Sequence, residues 1–181
     1  MSAWETLSSR LIYSNAWLRV REDEIVRPDG NQGIYSVVEM KGGIGVVAAT
    51  DRHEIYIVGQ YRYAPAAYSW EIPKGAFESF GHAEDPLDTA KRELEEEVGL
   101  AAQQWAHLAT VHTLMGSSDD EVHLFLAMGL SEGKPRLEGT EDITSRKVSF
   151  AQFLQMVESG EITDATSIAA VYLASLRLGQ R

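Results

Sequence analysis

Glu93, Glu96 and Glu97 stand three and four residues apart in a stretch whose spacing predicts a helix over 86–98. At roughly 100° per residue, Leu87, Ala90, Leu94 and Val98 gather in a sector of about 80°, the stripe such a helix buries. Asp88, Lys91 and Glu95 fall on a solvent-facing sector, where Lys91 and Glu95 are four apart and can pair across one turn. The three glutamates lie beside the apolar stripe. Like charges at these spacings repel by a few tenths of a kcal/mol per pair, and at the edge of a core they also resist desolvation. A hard cation bound by all three relieves both costs, and magnesium commonly sits between carboxylates and substrate phosphates. On spacing alone an ordinary solvated charged face stays open as the alternative.

The helix carries its own boundary signals. Asp85 is suited to the N-cap, Pro86 to the first turn, and Gly99 to a left-handed C-terminal stop. Upstream, a glycine-bearing loop runs from Pro73-Lys74-Gly75 to Gly81. The first forty residues read as β: Trp17 to Val26, a turn at Pro28-Asp29-Gly30, and a returning strand at Ile34 to Val38. Gly42-Gly43-Ile44-Gly45 marks a break, so 1–40 is expected to be a semi-independent antiparallel sheet and 41–181 the main domain. Strands are expected at Ile44 to Thr50 and Glu54 to Gln60, joined by a hairpin loop at Asp51-Arg52-His53, and again at His107 to His112, Val122 to Ala127 and Lys147 to Phe150. Ser149 and Gln152 form a candidate capping box for a helix to about Glu158, and Asp164 caps a last helix ending near Leu178. Strands interleaved with helices point to an α/β or α+β sandwich.

Composition removes several functions. There are 181 residues and no cysteine, which excludes disulfides, cysteine zinc sites and thiol catalysis. The net charge of −11 argues against nonspecific nucleic-acid binding, which needs basic surface. No run approaches the roughly 18 apolar residues of a membrane span, and the N-terminus lacks a signal-peptide pattern, so a cytoplasmic protein is expected. An anionic substrate on so acidic a chain calls for divalent ions to offset the carboxylates.

Glu84, seven residues, then Arg92-Glu93-Leu94-Glu95-Glu96-Glu97-Val98-Gly99-Leu100 resembles the box of the Nudix hydrolases at every specified position. The resemblance implies an α/β/α sandwich with a mixed sheet. It also implies cleavage of a pyrophosphate bond with Mg2+, for which Mn2+ can substitute. It makes Glu93 and Glu97 the main metal ligands with Glu96 third, has Glu84 bind or orient a metal, and gives Arg92 the task of holding a carboxylate by a bidentate contact. One position departs. The box glycine belongs six residues before Glu84, where this chain has Glu78. Gly75 takes its place, so the loop carries three extra residues, read here as a tolerated surface bulge.

Gln60-Tyr61-Arg62-Tyr63, Ser69-Trp70-Glu71-Ile72-Pro73, Asp119 to Ala127 and Gly160 to Ala165 look like the ADP-ribose and nucleoside-diphosphate-sugar pyrophosphatases within that family. That likeness makes Arg62 a contact for phosphate or ribose and Glu121 a contact for a ribose hydroxyl, often from the second subunit of a homodimer. It places the general base on the acidic loop Glu138-Gly139-Thr140-Glu141-Asp142, with Glu141 favoured over Glu138 and Asp142. The proline that often marks ADP-ribose-selective members is replaced by Met115, so a nucleotide sugar is as good a substrate expectation as ADP-ribose. A non-catalytic sensor of ADP-ribose is the alternative, against which the intact box argues. The five histidines show no metal-binding helical spacing and are expected to be structural or surface residues. Trp17, Tyr13 and Tyr35 could stack on a base, but sheet packing is the expected use of each.

Overall fold

A computed structural model describes residues 3–81, 84–137 and 142–180. The N-terminal sheet is antiparallel, with strands in the order β1 (Glu5–Ser14), β2 (Leu18–Val26) and β3 (Gln32–Met40). The first strand was not anticipated. It is exposed along its whole length, which leaves its sequence without the apolar alternation that marks a half-buried strand.

The main domain is built on a mixed sheet. β4 (Gly43–Ala48) lies between β7 (Lys74–Ala76), antiparallel to it, and β9 (Glu121–Glu132), parallel to it; β8 (Leu100–His112) pairs antiparallel with β9. A second antiparallel sheet has the order β10 (Thr144–Ser149), β5 (Glu54–Arg62), β6 (Ala67–Glu71). The period of two along β4 divides its side chains between two cores. Ile44, Val46 and Ala48 pack with Ala90, Leu94 and Val98 of α1 (Pro86–Val98). Val47 and Ala49 pack with Phe150, Phe153, Ala170, Val171 and Ala174, from α2 (Phe150–Glu158) and α3 (Ala165–Leu178). A strand covered on both faces reads as a continuous apolar run, which is how Ile44 to Ala49 reads.

The expected helix boundaries hold. Asp85 accepts a hydrogen bond from the Leu87 N–H, and Gly99 ends α1 at φ 70°. Ser149 and Gln152 form the reciprocal capping box, and Asp164 accepts from the Ser167 N–H. Two local expectations fail. Thr50 to His53 is a tight turn, but β4 and β5 share a single bridge at Ala49 and Ile55 and then diverge into different sheets, so the loop is a corner between sheets and not a hairpin. Lys91 and Glu95 do not pair. Asp88 takes Lys91 at 2.9 Å, and Arg136, arriving from after β9, takes Glu95 at 2.7 Å.

The N-terminal sheet is fastened to the main domain through β3. Val38 donates its N–H to the Ser117 carbonyl at 2.8 Å, the Met40 N–H reaches Asp119 at 2.9 Å, and the Tyr35 hydroxyl donates to the Gly116 carbonyl. No helix among the described residues is long and apolar enough to cross a membrane.

Candidate active site

Three chain segments meet where α1 passes behind β7. Gly75 lies so close to α1 that a Cβ there would overlap the Glu93 carboxylate, and a Cβ on Gly43 would overlap the Gly75 carbonyl oxygen. Both positions therefore require glycine for close approach. This puts the Glu93 carboxylate against the backbone of Gly75, the glycine expected to stand for the box glycine. Glu97, one turn on, is buried and accepts the Lys74 N–H at 3.1 Å. Glu96 is half-buried on the flank of the helix.

Arg92 does not grip one carboxylate with both nitrogens. Its Nη1 bridges two, at 2.9 Å from Glu93 and 3.0 Å from Glu96, which offsets their repulsion. Glu84 is turned toward the protein: Oε1 accepts the Glu78 N–H at 2.6 Å and Oε2 accepts the Thr89 hydroxyl at 3.1 Å. No group of three or more His, Asp or Glu side chains among the described residues is drawn together as a closed metal site. The donors nonetheless suit a hard divalent cation. They are all oxygens, Glu93 and Glu97 lie at neighbouring helical positions, and the Gly75 backbone abuts the Glu93 carboxylate.

Beside β7 opens a cavity of about 690 Å³, within the range of nucleotide-sized ligand sites. Gly75 is part of its wall, as are Trp17, Lys41, Arg62, Lys74 and Asp164. The β5–β6 ladder sets Glu71 opposite Val58, four residues before Arg62 and on the same face, and the long Arg62 side chain reaches back so that its guanidinium grips the Glu71 carboxylate with Nε at 2.9 Å and Nη2 at 2.6 Å. Lys74 reaches the same carboxylate and Asp164, each at 2.8 Å, and Asp164 in turn caps α3. Burial pushes the Glu71 carboxyl up, but the Arg62 hydrogen bonds and the Lys74 charge outweigh it and hold the group at about 2. Against an ordinary value of 4.5, the depressed value makes this network stabilising above pH 4.5 and weakening as pH falls through about 2. The contribution is on the order of 3 kcal/mol. Glu71→Gln is expected to lower unfolding free energy in urea at pH 6 by a few kcal/mol, because Arg62 and Lys74 lose a buried partner. The gap between variant and parent should close below pH 4.5; a gap that stays constant down to pH 2.5 would show that Glu71 is not the titrating group.

Not every expected site residue arrives at the cavity. Asp120 and Val122 line it, while Glu121 between them alternates to the other face of β9 and pairs with His123 at 3.1 Å. His123 and His107 both lie 3.2 Å from the Thr110 hydroxyl, a structural use of two histidines as expected. Glu141, with Glu138, lies outside the described residues. Trp17 is not packed into a sheet: it is 72% exposed and stands at the cavity wall. The reason is local. Asn15 accepts from the N–H groups of Trp17 and Leu18, so the chain turns just before β2 and leaves the indole outside. Lys41, Lys74 and Asp164 were not singled out as site residues by sequence; for Lys74 the only signal was its place beside Gly75.

The residue order of the box, folded into a helix packed behind a glycine that abuts the Glu93 carboxylate, is matched by comparison with known families. Residues 40–171 match the model described as the NUDIX domain, and 4–38 match the nucleoside diphosphate sugar hydrolase N-terminal domain. The chain belongs to the Nudix family. It is a hydrolase acting on a diphosphate anhydride. Among curated relatives, it is 38% identical to an ADP-ribose pyrophosphatase of Mycobacterium tuberculosis, over 93% of this chain and 81% of that protein. It is 32% identical to an ADP-ribose pyrophosphatase of Bacillus subtilis, over 96% and 93% of the two chains. A methanol dehydrogenase activator of Bacillus methanolicus is 31% identical over the same shares. The crystal structure of an ADP compounds hydrolase superposes with a TM-score of 0.85 at 16% identity, covering 100% of this chain and 98% of that one, which supports the Nudix fold.

Proposed function

We propose that this Nudix protein is a magnesium-dependent pyrophosphohydrolase of ADP-ribose or nucleoside diphosphate sugars, releasing a nucleoside monophosphate and a sugar phosphate. The observation that carries the reading is that Gly75, in the wall of a nucleotide-sized cavity that Arg62 also lines, abuts the Glu93 carboxylate. Glu93 and Glu97 would hold the metal, with Glu96 reached through its shared contact with Arg92 and Glu84 fixing the loop that leads into α1. When bound, a divalent ion, Mg2+ or Mn2+ in its place, supplies neutralisation of phosphate charge and acidification of water.

The chain's own groups do the rest. Arg62, oriented by the Glu71 fork, offers its remaining N–H donors to phosphate or ribose oxygens. Trp17 presents an exposed indole face on which a base can stack at the cavity mouth. A water oxygen forms a bond to one phosphorus, the bridging P–O bond breaks, and the leaving phosphate keeps the bridging oxygen. The water's proton goes to a carboxylate, for which Glu141 is the residue favoured. Catalysis of this kind is chiefly positioning and charge stabilisation.

The protein is read as a cytoplasmic homodimer in which the N-terminal segment 1–40 is exchanged between subunits and 41–181 is the Nudix hydrolase domain. Supporting this, Leu11, Ile34 and Trp17 of the N-terminal region are 61%, 66% and 72% exposed in the single chain. In that assembly Glu121, which faces away from its own cavity, serves the partner's. The deciding experiment is a product-resolved screen of the purified protein with magnesium against ADP-ribose, several nucleotide sugars and dinucleoside polyphosphates. AMP plus ribose phosphate from ADP-ribose, or nucleoside monophosphate plus sugar phosphate from a nucleotide sugar, is expected. Tight ADP-ribose binding with no product would convert the protein into a sensor.

A further inference from the structure

The three extra residues between Gly75 and Glu84 do not form a loose bulge. The Glu78 N–H is bound by Glu84 at 2.6 Å, which ties the loop to the first glutamate of the box. Two residues on, the Phe80 ring lies under two cations of the preceding chain. The Arg19 guanidinium is 4.1 Å from its centroid and the Lys41 ammonium 6.0 Å. The insertion thus spans from the box to the junction of the N-terminal sheet with the main domain, and it carries an aromatic face to Lys41, which lies in the short link between β3 and β4.

Lys41 differs from the other cations of the cavity. Arg62 is forked to Glu71, and Lys74 is shared by Glu71 and Asp164. Those two positive and two negative side chains cancel. Lys41 lines the same cavity, is half-buried, and makes no ion pair among the described residues. An ammonium beside an aromatic face retains most of its charge for another partner, since the contact contributes only about 0.5–1 kcal/mol at a solvated site. Position fixes what that partner can be. Gly43 abuts Gly75, Gly75 abuts the Glu93 carboxylate, and Lys41 is two residues before Gly43. Two residues of chain span at most about 7 Å, so a diphosphate held at Glu93 has its neighbouring oxygens within reach of a lysine side chain at 41.

We infer that Lys41 is a substrate-binding residue that contacts the anionic oxygens of the nucleoside diphosphate, and that Phe80 of the inserted loop is the residue that positions it. The inference rests on the pyrophosphohydrolase reading of this cavity. It gives the insertion a task in substrate affinity, because removing Phe80 frees the Lys41 side chain to swing into solvent.

The test is calorimetric titration with α,β-methylene-ADP, whose bridge is not hydrolysed, in magnesium at low and high salt. Lys41→Met, which keeps the aliphatic stem, is expected to weaken binding roughly tenfold and to flatten the salt dependence, as loss of one charge contact should. Lys41→Arg should restore binding to within about threefold. Phe80→Leu should weaken binding about threefold in the parent and add nothing to Lys41→Met, the coupling expected of residues that act through one another. Unchanged affinity in Lys41→Met, or full additivity of Phe80→Leu with it, overturns the inference. The same variants assayed for turnover of ADP-ribose keep the two readings apart. A parent protein that binds the analogue through Lys41 but hydrolyses no nucleotide substrate would sink the proposed activity and leave the Lys41 contact standing.

Discussion

Glu97→Gln and Glu93→Gln are each expected to lower turnover roughly a hundredfold or more at saturating magnesium while the protein stays folded. Loss of a residue that merely orients a metal ligand typically costs 10–100-fold, so loss of a ligand charge itself should start at the upper end of that range. The fold should survive because glutamine is nearly isosteric at both positions. Glu97 receives the Lys74 N–H on an oxygen, a role a glutamine carbonyl oxygen can fill. Glu93 sits against Gly75, where size is critical and charge is not, and Arg92 keeps Glu96 as a partner when Glu93 is neutralised. The measurement is kcat as a function of magnesium, with thermal unfolding as the control. Near-normal turnover of both variants at saturating magnesium, with melting curves unchanged, would remove the acidic helix from the mechanism.

The contrast between what was and was not legible in the sequence follows range of interaction. Helix α1 was legible because its cap at Asp85, its stop at Gly99 and its apolar stripe are all local, and each is realised. The choice of Gly75 over the residue at the expected spacing was legible too, because glycine is the residue type that close approach demands, and the collision with Glu93 gives that demand a cause. The electrostatics of the cavity were not. Lys74 is fixed by Asp164, ninety positions along the chain, and by a carboxylate that is itself held by Arg62. No local pattern encodes such a network. Lys91 shows the same limit in a simple case: its helical neighbour Glu95 was in reach, but Arg136 from a distant loop took that carboxylate. The short β7 escaped because three residues beside a proline carry no periodicity, yet that strand places Gly75 between helix and cavity.

Glu141→Gln is expected to cut turnover by roughly 10² to 10⁴ with little change in affinity for a nucleotide. Glu141 lies outside the described residues, so the case for it comes from its surroundings and from the likeness to the ADP-ribose pyrophosphatases. β9 ends at Glu132 and β10 begins at Thr144, so the acidic stretch 138–142 must lie between them. β10 runs antiparallel to β5, with Thr144 opposite Gly59 and Ser149 opposite Glu54. The chain therefore enters β10 at the end of β5 that leads on to Arg62, which is the cavity end. Arg62 stands three positions beyond Gly59, about 10 Å of strand, so β10 begins near the cavity's side of the sheet. A base there must come within about 2.6–3.2 Å of the attacking water, and a loop is well suited to do so after substrate has entered. Removing a proton acceptor that acts on water leaves the contacts to base, ribose and phosphates in place, so the loss should fall on kcat and the dissociation constant for α,β-methylene-ADP should stay within about threefold of the parent. The pH profile adds a second reading: the acidic limb of kcat/KM in the parent should flatten in the variant. If Glu141→Gln keeps most of its turnover while Glu138→Gln loses it, the base is Glu138 and the loop enters the cavity three residues earlier than the resemblance implies.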